Sequence, residues 1–294
     1  MKIAPTLTET ALEIALSLFN EGRYGDARIV LTEALANKGA CADNETLRLK
    51  IRLAVVEQWD GNLDEAEALF SELKGQVDAC DNPLLQGRYY YNRQYLLRRR
   101  GNRDEAIISL TAASYYYDLA HEPELCADAE NNLGILLVDA GRIGDAHEHF
   151  DKAMKGCRDS IKRAQMCESQ AAAYLAEGRP LDALPYARQA VELVEGTERH
   201  PLLEAHVGTL GKVCAALERQ FKIEKEKPII ESALREAGGR STAAARILNI
   251  TRRTLDYKLE TQHQDLLYLR AEKLKARGVH ASKARRRSRK VKTT

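Results

Sequence analysis

One six-residue phrase occurs five times in this chain, and its spacing limits the fold more than any other feature. GRYGDA begins at Gly22, GNLDEA at Gly61, GNRDEA at Gly101, GRIGDA at Gly141 and GRPLDA at Gly178, so the glycines stand 39, 40, 40 and 37 residues apart. Four and seven positions beyond the Ala of each phrase stand small or apolar residues: Leu31 and Ala34, Phe70 and Leu73, Leu110 and Ala113, Phe150 and Ala153, Ala187 and Ala190. That spacing marks one face of a helix. A second helical run precedes each Gly, as in TALEIALSLF, LRLKIRLAVVEQW and AENNLGILLVDA. The Gly is expected to end the first helix in a left-handed conformation. The acidic residue before the Ala then complements the dipole in the first turn of the second. Such a hairpin cannot cover its own apolar face, so the expected fold is all-α, an α-solenoid of about five stacked hairpins.

The order of a small residue, Gly seven positions later, Ala five beyond it, then apolar and small residues, resembles the tetratricopeptide repeat. Ala15, Ala54, Gly134 and Ala171 hold the small position, and Gln94 departs from it, leaving the third repeat the least regular. The period exceeds the usual one of about 34 residues, the excess lying in polar connectors such as NKGACADNET and KGQVDACDNP. HEAT repeats share the length but not the Gly-to-Ala spacing. HPLLEAHVGTLGKVCAALERQ supplies a helix that would cap the stack. The resemblance implies that first helices line a concave groove, with Arg48, Arg52, Arg88, Tyr91, Asn92, Tyr95, Arg98, Asn131 and Asn132 at its inward positions. Such a groove suits an acidic or extended peptide of a protein partner, the arginines serving as forks for carboxylates. The alternative for RYYYNRQYLLRRR is a solvated face whose tyrosines sit partly in the inter-repeat core.

The net charge of +2 hides two opposed regions: residues 1–220 carry 25 basic and 35 acidic side chains, residues 221–294 carry 20 and 8. The basic end is the one expected to meet a polyanion. Within it, PIIESALREA is read as a helix opening at Pro228, with Ile229, Ile230, Ala233, Leu234 and Ala237 on one face. Gly238 and Gly239 stop that helix. Ser241 or Thr242 is expected to cap the next, TAAARILNI, with Ile247, Leu248 and Ile250 in the core, and Thr251 to cap a third, RRTLDYKLE, with Leu255 and Leu259 inward. Arg253, Thr254 and Tyr257 then face outward, Arg252 flanking. Three short helices with a tight turn between the last two make a helix-turn-helix.

GGRSTAAARILNITRRTLDYKL closely resembles the Fis-type helix-turn-helix, the DNA-binding domain that also ends many bacterial activators of the sigma-54 class. The resemblance implies that double-stranded DNA is the partner, with Thr251 and Arg252 at base edges and Arg252 bidentate to guanine. Arg253 lies on the same face. Thr254, Tyr257, Lys258 and Thr242 would hold phosphates. It also implies a homodimer on a partly palindromic site with half-sites about 34 Å apart. Two residues depart from the family: Asn249 replaces the turn glycine, which its tolerance of positive φ permits, and Asp256 stands where a basic residue is common.

From Arg270 to Lys292 there are 11 basic residues and one acidic, read as a disordered polybasic arm that adds non-specific DNA affinity; the alternative is a solubility tail. The expected domains are a solenoid with capping helix at 1–220, the helix-turn-helix at 221–264, and a short helix with the basic tail at 265–294. The six cysteines show no zinc-ligand spacing and are read as reduced thiols in small core positions. No apolar run approaches the roughly 20 residues of a membrane span, and no signal peptide is read at the N-terminus; the expected location is the cytoplasm, at the nucleoid. Phosphate-loop, dinucleotide, zinc-protease and serine-hydrolase motifs are absent, so no enzymatic activity, metal or cofactor is expected. His147 and His149, two apart on a helix, make a poor metal pair. The sequence therefore reads as a sequence-specific transcription regulator that docks a partner in its repeat groove, or else as an assembly adaptor held at the nucleoid by weak DNA binding.

Overall fold

The computed structural model describes residues 7–38, 43–195 and 200–270, and among these there are helices and turns but no strand. Ten helices pair as five hairpins: α1 (Leu7–Asn20) with α2 (Tyr24–Lys38), α3 (Asn44–Asp60) with α4 (Leu63–Ala79), α5 (Pro83–Arg99) with α6 (Arg103–Leu119), α7 (Pro123–Asp139) with α8 (Ile143–Gly156), and α9 (Ser160–Ala176) with α10 (Pro180–Val194). The five repeated glycines sit at the turns with φ between +72° and +97°. A side chain at any of them would meet nothing within 4 Å, so backbone conformation and not space selects glycine there. The acidic residue of each phrase lies in the first turn of the second helix. In three hairpins it also pairs with an arginine three residues earlier, as Arg142 does with Asp145 at 2.6 Å.

The periodic residues form the core. Leu31, Phe70, Leu73, Leu110, Ala113, Phe150, Ala153, Ala187 and Ala190 are all buried, and Ala34 is half-buried. At the small position of the fourth repeat, a Cβ on Gly134 would come within 2.6 Å of the Phe150 ring; here contact with the second helix does select glycine. The irregular Gln94 is fully buried, and neither amide atom finds a hydrogen-bond partner.

The chain divides into two compact units between Val213 and Cys214. α11 (His200–Glu236) runs through residues 218–228 without a break. Pro228, expected to open a helix, lies inside it. Lys, Glu and Ile residues before it are adequate helix formers, and Pro228 is exposed, where water can bond the carbonyl that the ring leaves without an N–H.

In the second unit, the end of α11 packs with α12 (Ser241–Ile247), α13 (Arg252–Thr261) and a 3-10 turn at Gln264–Leu267. Ile230, Ala233, Leu234, Ala237, Ala244, Ala245, Leu255, Leu259, Leu266 and Leu269 make its core. Two expectations shift by a residue. Ile229 is exposed while Ile230 is buried, because Ile230, Ala233, Leu234 and Ala237 form the i, i+3, i+4, i+7 stripe and Ile229 falls about 100° to its side. α12 is shorter than TAAARILNI suggests, which leaves Ile247 exposed while Leu248 and Ile250 pack at the core's edge. Arg240 holds the N-cap position of α12, with Ser241 as first helical residue, and no side chain caps that end.

Candidate functional site

The loop between α12 and α13 sets the geometry of the second unit. Asn249 adopts φ +52°, the left-handed turn residue that allows the chain to reverse within a few positions. Thr251 then caps α13, its hydroxyl accepting from the Thr254 backbone N–H at 3.0 Å and contacting the Thr254 hydroxyl at 2.8 Å. With Leu255 and Leu259 buried, the opposite face is obliged to point outward. Arg252, Arg253, Thr254 and Tyr257 are all exposed on it, Tyr257 at 60%. Thr242 is exposed at the start of α12.

Arg246 was not singled out in the sequence. It lines a shallow cleft with Asn249, Thr251 and Thr254, so α12 adds a cation beside the start of α13. The signal was available, since Arg246 lies two residues after the buried Ala244, on the outward side of α12.

Three cations on or beside α13 are committed within the unit. Lys258 is half-buried and forms an ion pair with Glu226 of α11. Asp256 lies 3.3 Å from Arg252 one turn earlier and 3.2 Å from Arg270. The residue that looked least suited to a DNA-binding helix therefore ties α13 to the segment following it. Arg253 and Arg246 form no ion pair among the described residues. His263, buried behind α13, has its pKa lowered by desolvation, against the opposing influence of Glu226 and Asp265. The basic arm expected after Arg270 lies outside the described residues.

In the first unit the inward positions divide into three groups. Arg48, Arg52, Arg88 and Asn92 line one cavity of about 340 Å³ with Ile51, Val55 and Leu85. Tyr95 and Arg98 line a second, of about 500 Å³, with Gln58, Trp59 and Arg99. Tyr91, Asn131 and Asn132 are inter-repeat mortar: Asn132 donates to the Tyr91 hydroxyl at 2.9 Å, that hydroxyl lies 3.3 Å from the Tyr95 hydroxyl, and the Asn131 side-chain oxygen is buried. Burial raises the Tyr91 pKa far above its ordinary value, so this hydroxyl stays protonated. Within RYYYNRQYLLRRR, Tyr91 thus lies in the inter-repeat core, while Arg88, Asn92, Tyr95 and Arg98 line cavities. Trp59, which the sequence reading passed over, lies seven residues beyond Arg52 on the same stripe of α3.

Other titratable side chains are dispersed. His147 stacks on Tyr174 and approaches Glu177, while His149 bonds Glu130 at 2.6 Å. No group of three His, Cys, Asp or Glu side chains among the described residues could hold a metal ion. Burial raises the Cys157 and Cys167 thiols to about 11, whereas Cys214 is exposed rather than a core residue. No helix of the described residues is long and apolar enough to cross a membrane.

Comparison with known proteins agrees with this anatomy. Residues 222–261 match the bacterial regulatory protein Fis family, and residues 127–160 match the tetratricopeptide repeat. No curated protein matches the chain. Among solved structures, BtubC from P. vanneervenii is 18% identical over 73% of this chain and 85% of its own, with a TM-score of 0.53. A putative kinesin light chain of Podosopora anserina with TPR-like repeats is 18% identical over 66% and 99%, TM-score 0.55. The pilF protein of Pseudomonas aeruginosa is 17% identical over 74% and 97%, TM-score 0.52. At these identities the likeness concerns fold alone. The chain is thus a tetratricopeptide-type solenoid with a Fis-family helix-turn-helix near its C-terminal end. The second domain suggests DNA as a partner and the first suggests protein.

Proposed function

We propose that this tetratricopeptide array with a Fis-type module is a sequence-specific DNA-binding transcription regulator, which docks a protein partner through its repeats. The observation that carries the reading is the outward face of α13, where Thr251, Arg252, Arg253, Thr254 and Tyr257 stand together at the end of the helix that would enter a major groove. Arg252 reads a base edge, since its guanidinium can serve the two acceptors of guanine. Arg253, Arg246, Thr242, Thr254 and Tyr257 hold phosphates. Lys258 joins them only by leaving Glu226. The module acts as a homodimer at the nucleoid, in the cytoplasm, and the segment after Arg270 adds salt-sensitive affinity for any sequence. Regulation proceeds by occupying DNA or recruiting another protein, and no catalytic step is assigned to the chain.

A specific observation also favours the adaptor reading: the ion pairs of Arg252 and Lys258 weaken a grip on DNA that rests on few cations. Genome-wide occupancy decides between the two. The regulator reading requires an enriched motif whose enrichment disappears with Arg252→Ala while weak, salt-sensitive binding persists. Occupancy without a motif in the unaltered protein selects the adaptor, and a motif unaffected by Arg252→Ala removes the role given to that residue.

A further inference from the structure

The outward side of α6 is apolar where the fold does not require it to be. Ile108, Tyr115 and Leu119 are 67%, 61% and 48% exposed, and with the half-buried Ala112 they follow one another at i, i+4, i+7 and i+11, one stripe of a helix. α6 already buries its opposite face, through Ala106, Leu110, Ala113 and Tyr117. At the positions equivalent to Ile108, Ala112 and Tyr115, counted from the Ala of each repeated phrase, α4 carries Ala68, Glu72 and Gly75, and α8 carries Glu148, Lys152 and Lys155. The flanking hairpins thus close with small or charged residues there, and a contiguous apolar stripe left in water marks a docking surface.

Neighbouring groups brace the stripe and frame it with acid. Tyr115 meets the Tyr116 ring edge-on at 5.3 Å, and Tyr116 stacks on Tyr90 at 5.7 Å, so the exposed ring is held in place before any partner arrives. Asp104 and Glu105 stand in the first turn of α6 and Asp118 in its last. Glu105 is 3.4 Å from Arg93, whereas Asp104 and Asp118 form no ion pair among the described residues. Acid also predominates in the cavity of about 510 Å³ that adjoins Tyr115: Asp118, Glu130 and Lys152 line it, and His149 is bonded to Glu130. A second copy fits this surface badly. Antiparallel pairing of two α6 helices that sets Ile108 on Tyr115 also sets Asp118 on Glu105, and parallel pairing sets Asp104 on Asp104, so like charges oppose both. The same acids repel nucleic acid and an anionic membrane surface.

We propose that the outward face of α6 docks a basic amphipathic helix of a partner protein. The partner's apolar residues, spaced i, i+4, i+7 and i+11, cover Ile108, Ala112, Tyr115 and Leu119, and Lys or Arg side chains at its two ends meet Asp104 and Asp118. Those acids lie about 21 Å apart along α6 at roughly 1.5 Å per residue, which sets the partner helix at about four turns. The surface belongs to a second helix of the array, apart from the groove lined by first helices, and its use does not depend on anything docking in that groove.

The test uses the full chain and an Ala-rich, fluorescein-labelled helical peptide of about 20 residues, with Leu at the four stripe positions and Lys at both ends. Control peptides replace Leu by Ser, Lys by Gln, or Lys by Glu. Fluorescence anisotropy should show the Leu/Lys peptide binding at least about tenfold more tightly than the Ser control, which loses the apolar burial, and about threefold more tightly than the Gln control, which loses two exposed ion pairs. Ile108→Glu installs the residue that α8 already carries at the equivalent Glu148, so it should leave the thermal melt unchanged while weakening the Leu/Lys peptide about tenfold through the loss of apolar burial. Asp104→Asn combined with Asp118→Asn should abolish the preference for Lys over Gln. Unlabelled peptide should leave the emission of Trp59, the chain's single tryptophan, unchanged, because Trp59 lines the cavity between α3 and α5. A shift of that emission, or binding that Ile108→Glu does not weaken, places the peptide elsewhere and overturns the proposal. Equal binding of the Lys and Glu peptides removes the basic partner. Sedimentation showing a self-associated chain that Ile108→Glu alone separates reassigns the stripe to a second copy, and failure of the Leu/Lys peptide to bind at millimolar concentration overturns the docking face altogether.

Discussion

Two glycines with the same backbone angle separate conformational strain from steric exclusion. Gly22 and Gly239 both adopt φ +73°, yet a Cβ at Gly22 meets nothing within 4 Å, whereas at Gly239 it would lie 2.4 Å from the Leu269 carbonyl oxygen. Alanine at Gly22 therefore carries only the left-handed penalty, about 1–2 kcal/mol. At Gly239 the same penalty applies, and the backbone of Leu269 and Arg270 must also withdraw by about 1 Å to restore ordinary contact. That movement pulls Leu269 and its neighbour Leu266 from a core of only ten residues. Losing part of one buried leucine adds roughly 2–3 kcal/mol, for a total of about 3–5 kcal/mol. The assay exploits Trp59, whose emission reports the solenoid alone, while far-ultraviolet circular dichroism reports both units. In urea, Gly239→Ala should bring forward the part of the dichroic transition that fluorescence does not see, and abolish DNA binding. Gly22→Ala should move the fluorescence transition, since Trp59 packs on Phe19 of α1. Equal losses from the two substitutions, or a Trp59 transition displaced by Gly239→Ala, would refute the reasoning.

Asp256→Ala should destabilise the second unit by about 1 kcal/mol, the worth of one exposed and one half-buried ion pair, while tightening non-specific DNA binding several-fold through the released Arg252; a drop in affinity with the fold intact would show that Asp256 orients Arg252 for reading. At Asn249, Gly should be neutral to within about 0.5 kcal/mol and Val should cost about 1–2 kcal/mol, because φ +52° suits Gly and opposes a β-branched side chain; a stable Val variant by thermal melting counts against the turn. His263 has a depressed folded pKa, so the unfolded chain binds a proton first as pH falls. Stability of the second unit should decline below about pH 6.5 and level off once the folded-state pKa is passed, and His263→Gln should remove that decline in dichroism-monitored melts.

Much of the solenoid was legible because its determinants are local and repeated. The turn glycines, the acidic first-turn residues and the core positions four and seven beyond each Ala are read within a single hairpin, and each recurs in its expected place. The module was legible for the same reason at Asn249, Thr251, Leu255 and Leu259. What escaped the sequence depends on contacts distant along the chain. Glu226 and Lys258 are 32 residues apart, so nothing local announces that the lysine is paired. Asp256 reads as a misfit when only α13 is considered, and as a brace once Arg270 is beside it. Pro228 reads in isolation as a helix start, whereas an exposed helix already leads into it. The lack of ion-pair partners at Arg52 and Arg88 depends on how α3 and α5 pack, although the place of Arg52 on one stripe of α3 with Trp59 was readable.

The buried amide of Gln94 has a mechanical consequence. An unsatisfied buried polar group costs about 1–3 kcal/mol, and in a stack of repeats such a cost weakens the interfaces of its own repeat and leaves distant ones untouched. α5, which carries Gln94, is also one wall of the cavity lined by Arg48, Arg52 and Arg88. Whatever satisfied that amide would therefore stiffen the third repeat and its neighbours and leave the distal hairpins as they are.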